Sequence, residues 1–358
     1  VCDWIKDMWW AELVLSHLLE AFPSADIFTS VFWQNWNKLF DGRKITTSFI
    51  QKIPILNKSH KLALTLRPYA FESFDLSEYD IVISSSSAES KWVITKPNTL
   101  HFCYCHTPTR YFWSHYQEYI NMMEFGILNI FWKYLMPKIV HNLRKWDFLA
   151  AKRVDYFIAN SKNTASRISK YYKKSSEVIY PWIDTNLFYL SEKKDFYLYV
   201  WRVIPYKKFD LIVEAFNKNW KKLVICVNTV NKLQQKLEEE SNANIVWIKN
   251  PKKSDLAKYY SEARGFLFPP EEDFWLVPVE AMASWTPVIA FWKWWATETV
   301  IKWETWIFFQ EQTEKSLNKA IDEFEKLEFD SEKIREYALK FDKENFKKNL
   351  IEFIESKI

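Results

Sequence analysis

Short apolar runs alternate along the chain with amphipathic stretches of helical period. This alternation predicts an α/β fold, in which crossover helices join parallel strands into doubly wound sheets. The predicted strands are 80–87, 100–106, 155–161, 196–200, 223–227, 244–248, 265–270 and 287–291. The predicted helices are 11–21, 141–153, 162–173, 207–218, 231–241, 253–263, 277–284 and 314–326. Small polar residues follow several strands, as at 84–87, where doubly wound sheets place their ligand loops.

The alternation is interrupted between residues 180 and 194, where Pro181 and a run of charged residues precede a fresh strand. The interruption predicts a boundary between two domains, 1–185 and 186–335. Beyond residue 331 the chain is charged, with apolar residues at helical spacing, which predicts a final helix that packs on a surface.

The composition is abnormal in one respect, because the 358 residues include 20 Trp and only 3 Gly. At a glycine usage of about 7%, a chain of this length would hold ~25 glycines. Turns with positive φ also favour glycine strongly. These facts favour the hypothesis that many Trp letters stand for glycine, as happens when UGA codons that mean glycine are translated as Trp.

Charge and cysteine content narrow the class of protein. The net charge of +4 is compatible with anionic small substrates or a membrane surface, and is too small to indicate nucleic acid as a partner. The 4 Cys show no framework spacing, which favours reduced thiols in the cytoplasm. No apolar run is long enough for a transmembrane helix, and no signal peptide is visible. The chain begins at Val1 without Met, which indicates a few missing amino-terminal residues.

The segment 271–306 contains the motif that decides the interpretation. Glu272 and Glu280 are separated by seven residues and surrounded by DF-x-LVPVEAMA. This resembles the Glu-x7-Glu signature of family 4 glycosyltransferases, and nearly every non-glycine letter of the signature matches. At the positions where the family has glycine, the chain has Trp275, Trp285, Trp292, Trp294, Trp295, Trp303 and Trp306.

The same replacement recurs outside that segment. Residues 201–216 resemble the family's G-R-x-x-P-x-K segment, with Trp201 at the glycine, and residues 8–12 resemble its M-G-G-A-E loop. A loop that brings backbone N–H groups against a diphosphate needs residues without a Cβ. Trp92, Trp182 and Trp220 are interpreted as further glycines, Trp4, Trp113 and Trp146 as true tryptophans, and Trp33, Trp36, Trp132 and Trp247 are left unassigned.

The resemblance covers nearly the whole chain and implies a GT-B fold, with two Rossmann-like domains facing across a cleft. It implies that a helix at 336–358 crosses back to the first domain. It also implies transfer of a hexose from a nucleotide diphosphate sugar, with retention at the anomeric carbon. The nucleotide sugar is then a co-substrate, and neither a metal ion nor another cofactor is expected.

Four side chains receive catalytic roles from the resemblance. Arg202 and Lys207 are expected to stabilise the leaving diphosphate, because positive charge there replaces a divalent ion. Glu272 is expected near the donor sugar, and His106 near the reaction centre. The plain alternatives are two solvated cations at the end of a strand and a structural histidine. A metal site built from Cys103, Cys105, His101 and His106 is disfavoured, since no second Cys/His cluster accompanies them.

Further residues receive binding roles. Glu280 is expected to hold the ribose hydroxyls, and Arg110 to contact donor or acceptor unless it only packs. One departure concerns 227–229, where the family often has a Gly-Asp-Gly-like turn and this chain has Val-Asn-Thr. The remaining predicted binding positions are Trp9, Trp10, Phe274, Trp275 and Leu276.

The stretch 106–119 resembles a subgroup of bacterial family 4 enzymes that act on polysaccharides or lipid-linked sugars, many of which use GDP-mannose. The expected function is therefore transfer of mannose to a glycan or lipid-linked acceptor in cell-surface polysaccharide synthesis. Residues 125–146 mix apolar and basic groups, which fits either peripheral contact with the inner face of the cytoplasmic membrane or a core-facing helix pair. The alternatives are a UDP-sugar transferase, a GT-B sugar-nucleotide epimerase, or an inactive nucleotide-sugar-binding relative if the Trp residues are real.

Overall fold

The structure is a computed structural model that describes residues 1–6, 10–33, 40, 42–58, 62–114, 116–117, 129–228, 230–270, 276–292 and 306–358. The chain divides into two compact units. One unit comprises Val1–Tyr180 with Lys347–Ile358, and the other comprises Pro181–Phe346. The first boundary lies slightly before the predicted 185/186, and the second unit continues past the predicted end at 335.

The sheet of the first unit is parallel throughout its described ladders. Residues 1–5 run between β1 and β3, because Cys2 forms bridges with both Thr29 and Ser85. The first segment of the chain is therefore central, and later strands add on both sides of it. The strands are β1 (Ile27–Thr29), β2 (Ile45–Thr47), β3 (Ile81–Ser86), β4 (Leu100–Cys105), β5 (Tyr156–Ala159) and β6 (Ser176–Val178).

The helices of the first unit cover this sheet. They are α1 (Trp10–Ala21), α2 (Pro54–Lys58), α3 (Arg67–Glu72), α4 (Asn129–Arg153) and α5 (Lys162–Tyr172). Helix α4 begins well before the predicted 141 and continues through Pro137. Its apolar residues Met136, Val140 and Leu143 lie in the core, whereas Tyr134 is 78% exposed. No described helix combines the length and the apolar character needed to cross a membrane.

A buried carboxylate holds the helical layer of the first unit together. Asp147 of α4 forms an ion pair of 2.8 Å with Lys91, and both side chains are fully buried. The same carboxylate accepts hydrogen bonds from the indole N–H of Trp92 (2.8 Å) and of Trp113 (2.7 Å) and from the hydroxyl of Tyr172 (2.8 Å). A buried charge is tolerated only with such partners. The ring of Trp92 therefore has a buried partner, and its contacts do not identify that position as a glycine.

The second unit is built around one parallel sheet in the strand order β12-β11-β10-β7-β8-β9 among the residues described. The chain winds outward from β7 to β9, then restarts on the other side of β7 at β10. This is the Rossmann arrangement, with its topological switch point between β7 and β10. The strands are β7 (Lys194–Val200), β8 (Leu223–Val227), β9 (Ile245–Lys249), β10 (Ala263–Phe268), β11 (Val288–Phe291) and β12 (Trp306–Phe309).

The helices of the second unit lie close to their predicted positions, with one exception at the carboxyl end. The predicted final helix is wrong in that the chain forms two helices, because Asp342 pairs with Ile183 and accepts a hydrogen bond from Thr185 between them. The last residues, 347–358, belong to the first unit. The helices are α6 (Phe209–Asn219), α7 (Lys232–Glu239), α8 (Lys253–Glu262), α9 (Leu276–Ala283), α10 (Glu314–Phe324), α11 (Ser331–Leu339) and α12 (Lys343–Glu355).

Two tryptophans of the second unit have left-handed backbones within two residues of a helix end. Trp220 is the C-cap of α6 with φ 57°, and Trp285 follows α9 with φ 55°. A residue with this conformation just after a helix is usually glycine, because the conformation is costly for a residue with a Cβ. The indole of Trp220 is also 64% exposed, so it gains little from burial. Both positions are among those that the sequence predicts to be glycine.

Replacing Trp220 by glycine is expected to stabilise the second unit. The substitution relieves the left-handed strain at the expense of little buried surface, so the free energy of unfolding rises by about 1 kcal/mol. Denaturant unfolding of the second unit measures it. Trp113→Gly is the contrast, because it removes a hydrogen bond to Asp147 and is expected to destabilise the first unit by roughly 3–5 kcal/mol. A lower stability for Trp220→Gly would contradict the interpretation.

Candidate functional site

The predicted phosphate-binding residues follow the central strand of the second unit. Trp201 and Arg202 come directly after β7, and Lys207 lies in the short helical turn that precedes α6. The neighbouring strand β10 ends at the same edge of the sheet, because the two strands are parallel. The chain then continues into 271–275, where the predicted Glu272, Phe274 and Trp275 lie outside the described residues. Arg202 and Lys207 therefore lie in the chain segment that leaves the sheet beside the switch point of the second unit.

The loop that carries Lys207 is tightly held. The hydroxyl of Tyr199 donates to the carbonyl of Lys207, and the side-chain amide of Asn231 donates to the carbonyl of Val203 at 2.8 Å. Lys207 itself is 4% exposed, and its Nζ lies 3.0 Å from the centroid of the Trp201 ring. The indole of Trp201 therefore lies directly against the ammonium that the resemblance assigns to a phosphate contact. Arg202 is exposed.

The predicted ribose-binding residue lies in helix α9. Leu276 is the first residue of that helix, and Glu280 follows one turn later, half-buried. The hydroxyl of Tyr260, from α8, donates to Oε2 of Glu280 at 2.9 Å. Burial raises the pKa of Glu280 to about 7, opposed by the Tyr260 hydrogen bond and the charge of Lys253. The carboxyl of Glu280 therefore titrates near neutral pH.

His106 directly follows β4 in the first unit and is buried. Its Nε2 lies 2.9 Å from Oγ of Ser85, and its buried Nδ1 has no hydrogen-bond partner among the described residues. Burial lowers the pKa of His106 to about 4, although the charge of Asp3 opposes the shift. The ring is therefore neutral at physiological pH, so it can offer a hydrogen bond to a ligand but not a positive charge.

A small cavity with both apolar and polar lining lies at the switch point of the first unit, between residues 1–5 and β3. Its volume is about 180 Å³, and Glu12, Ser85 and Ser87 contribute to its lining. Asp3 also lines it, and its carboxylate accepts hydrogen bonds from the backbone N–H groups of Ser87 (2.7 Å), Ala88 (2.9 Å) and Ser90 (2.6 Å). Asp3 thus fixes the loop after β3. Ser85 joins this cavity to His106.

The remaining predicted site residues are distributed over the first unit. Trp10 is the first residue of α1, and Trp9 lies outside the described residues. Arg110 lies in the turn after His106 and is half-buried. Cys103 and Cys105 are fully buried in β4, and burial raises the pKa of the Cys105 thiol. Among the described residues no group of three or more His, Cys, Asp or Glu side chains could hold a metal ion.

Sequence reasoning missed two partners of the predicted residues. Ser85 contacts His106, and Tyr260 contacts Glu280. The polar run at 84–87 gave a signal for Ser85, since it marks a strand end. Tyr260 gave none, because it lies in an ordinary amphipathic helix twenty residues before its partner.

Family comparisons agree with this geometry. A family model described as Glycosyltransferase Family 4 matches residues 11–187, and a model described as Glycosyl transferases group 1 matches residues 188–341. The two matches meet close to the boundary between the structural units. Together they include the switch point of the second unit and every predicted site residue except Trp9 and Trp10, whereas the central residues 1–5 of the first unit precede the matched range.

Individual proteins are similar at lower levels. The O-antigen chain mannosyltransferase RfbU of Salmonella typhimurium is 25% identical over 214 residues, which are 56% of this chain and 59% of that protein. Sucrose-phosphate synthase from Thermosynechococcus elongatus has a similar structure, with a TM-score of 0.73, 17% identity, and coverage of 99% of this chain and 98% of that one. Anabaena HepE, in complex with UDP and glucose, has a TM-score of 0.68 at 13% identity, with 99% of each chain covered. These structures show the GT-B fold.

The raised pKa of Glu280 has a measurable consequence for stability. The folded carboxyl holds its proton more tightly than the unfolded one, so its contribution is fully present below pH 4.5 and is lost as pH rises towards 7. Glu280→Gln cannot ionise. Relative to wild type, this variant should therefore gain roughly 1–3 kcal/mol of stability over that interval. Urea unfolding at a series of pH values measures the difference, with the exposed Glu336→Gln as the matched control. Parallel curves for wild type and Glu280→Gln would contradict the assignment.

Proposed function

The chain is a glycosyltransferase of the family 4 type with the GT-B fold, and from that premise we propose that it transfers mannose from GDP-mannose to a glycan or lipid-linked acceptor. The observation that carries the proposal is that Arg202 and Lys207 follow β7 and that Glu280 lies in the helix after β10, since these two strands flank the switch point of the second unit. The similarity to an O-antigen chain mannosyltransferase supports mannose as the sugar and cell-surface polysaccharide as the product.

The proposed chemistry depends on charge that develops on the leaving group. As the bond between the anomeric carbon and the phosphate oxygen breaks, negative charge accumulates on the nucleoside diphosphate. Arg202 can bind phosphate through two parallel N–H donors, and Lys207 adds a point charge, so neither a metal ion nor a further cofactor is needed. Glu280 holds the ribose, Glu272 lies near the donor sugar, and the sugar is transferred with retention.

The donor site also requires the Trp letters to stand for glycine. Two structural observations support this part of the proposal: the left-handed backbones of Trp220 and Trp285, and the indole of Trp201 against Lys207. A glycine at 201 has no ring beside the ammonium of Lys207, which leaves room there for a phosphate. The inactive-relative alternative applies only if these tryptophans are real.

We also propose peripheral contact with the inner face of the cytoplasmic membrane, and the exposed face of α4 supports the membrane contact. Tyr134, Lys138 and Lys145 are exposed there, while the opposite face of the helix lies in the core. Aromatic and basic side chains together favour the surface of anionic lipids. This position would present the first unit to a lipid-linked acceptor.

The donor is tested with protein made with glycine wherever its gene carries UGA. We expect release of GDP from GDP-mannose in the presence of an acceptor extract. Arg202→Ala and Glu272→Ala should each lower kcat by about 100-fold or more, because each removes an interaction made at the reacting centre. The exposed Lys222→Ala, on the same unit, should remain near wild type. Release of UDP instead of GDP would refute GDP-mannose, and epimerisation without transfer would refute the transferase. Near-wild-type rates from either alanine variant would refute its role.

The glycine interpretation has a direct test in the gene and in the natural protein. We expect UGA codons at 9, 10, 201, 275, 285, 294 and 295, and UGG codons at 4, 113 and 146. Peptide mass spectrometry of the protein from its own host should then show glycine at Trp201 and Trp285 and tryptophan at Trp113. UGG at the glycine-like positions would refute the interpretation.

A further inference from the structure

Glu280 is held by a neighbour that the family signature does not contain. Tyr260, from helix α8, is 1% exposed, and its hydroxyl donates to Oε2 of Glu280 at 2.9 Å. The tyrosine ring is itself fixed, with its centroid 5.7 Å from that of Phe266 in β10 and 6.0 Å from that of Phe188. The ring contacts therefore hold the Tyr260 hydroxyl in a fixed position relative to Glu280.

The backbone around Tyr260 is anchored as well. Its carbonyl accepts a hydrogen bond of 2.6 Å from the hydroxyl of Thr286, just beyond α9. Lys193 donates to that same hydroxyl at 2.6 Å, to the carbonyl of Ser261 at 2.9 Å and to that of Ser284 at 3.1 Å. These bonds tie the end of α8 to the end of α9, so the distance between Tyr260 and Glu280 is set by the framework.

A carboxylate that binds a ribose diol must present an oxygen in a fixed orientation. A glutamate side chain rotates about three bonds, and ordering it costs free energy at the moment of binding. A rigid donor that occupies Oε2 removes much of that cost and leaves Oε1 as the oxygen for the ligand. We propose that Tyr260 is a positioning residue of the donor site, which orients Glu280 towards the ribose hydroxyls of the nucleotide sugar.

This inference rests on the proposed function, because it assumes that Glu280 contacts a ribose. It adds a residue whose role is preorganisation and not contact with the donor. It also accounts for the burial of the Tyr260 hydroxyl, since a buried hydroxyl group needs a partner. The hydrogen bond favours the ionised carboxyl, as does the charge of Lys253, against the effect of burial.

The test is Tyr260→Phe, which removes the hydroxyl and keeps the ring. Binding of GDP and UDP is measured by calorimetry on protein made with glycine wherever its gene carries UGA. For the nucleotide that binds wild type, we expect Kd to rise about tenfold, the effect of one hydrogen bond to a charged group. In turnover, KM for the donor should rise similarly while kcat changes less than about twofold, because the lost interaction concerns binding. Tyr259→Phe, one residue earlier in the same helix, is the matched control and should match wild type.

Two further measurements separate positioning from mere packing. The 2′,3′-dideoxy form of the same nucleotide lacks the ribose diol, so wild type and Tyr260→Phe should bind it equally weakly. In a Glu280→Gln background, Tyr260→Phe should add almost no loss, since the two residues act through one contact. The pH midpoint of nucleotide binding should also move upward in Tyr260→Phe, because the carboxyl loses a bond to its ionised form.

The possible outcomes separate a failure of the proposed function from a failure of the positioning role of Tyr260. If wild type binds neither nucleotide at millimolar concentration, the proposed function and this inference both fail. If wild type binds one of them and Tyr260→Phe binds it equally tightly, the positioning role fails and the donor site stands. If Tyr260→Phe weakens binding of the dideoxynucleotide by the same factor as binding of the natural nucleotide, the positioning role is also overturned. Such a result would indicate a general disturbance of the site.

Discussion

Parallel strand pairing is the constraint on which the candidate site depends. When all strands of a sheet run in the same direction, every strand-to-helix loop leaves at the carboxyl edge, and the loops beside the first strand diverge to opposite sides. Each unit of this protein begins its sheet with the central strand, residues 1–5 in one and β7 in the other. The loop after β3, which begins at Ser87, and the loops with Arg202 and residues 269–270 are therefore positioned by topology before any side chain contributes.

Sequence pattern predicted most strands of this fold and missed the shortest ones. All eight predicted strands are present, because buried parallel strands are continuous apolar runs. Four described strands were not predicted: β1, β2 and β6 have only three residues each, too few for a pattern to stand out, and β12 has four. The tail was predicted as one helix because periodicity continues across the break at Asp342. The break comes from contacts with Ile183 and Thr185, which are far away in sequence.

The site residues that lie within local sequence motifs could be predicted. Arg202, Lys207 and Glu280 lie in segments whose letters identify them, and the structure places them at strand ends and on the following helix. The partners of Glu280 and His106 could not be predicted in the same way. Tyr260 and Ser85 act across the fold, through contacts that exist only after helices and strands have docked. The positive φ of Trp220 likewise became visible only in the three-dimensional structure, although the composition had already indicated missing glycines.

The end of the chain has a consequence for how the protein is made. Residues 347–358 belong to the first unit, where Phe353 lies against Phe102 of β4 and Tyr156 of β5 at ring-centroid distances of 6.2 and 6.3 Å. Domains usually fold in order as they leave the ribosome. Here the first unit is completed only when residues 347–358 follow the second unit, so its sheet stays partly uncovered while the second unit is synthesised. A nascent chain released early, for instance at a misread codon, would expose that apolar surface to chaperones and proteases.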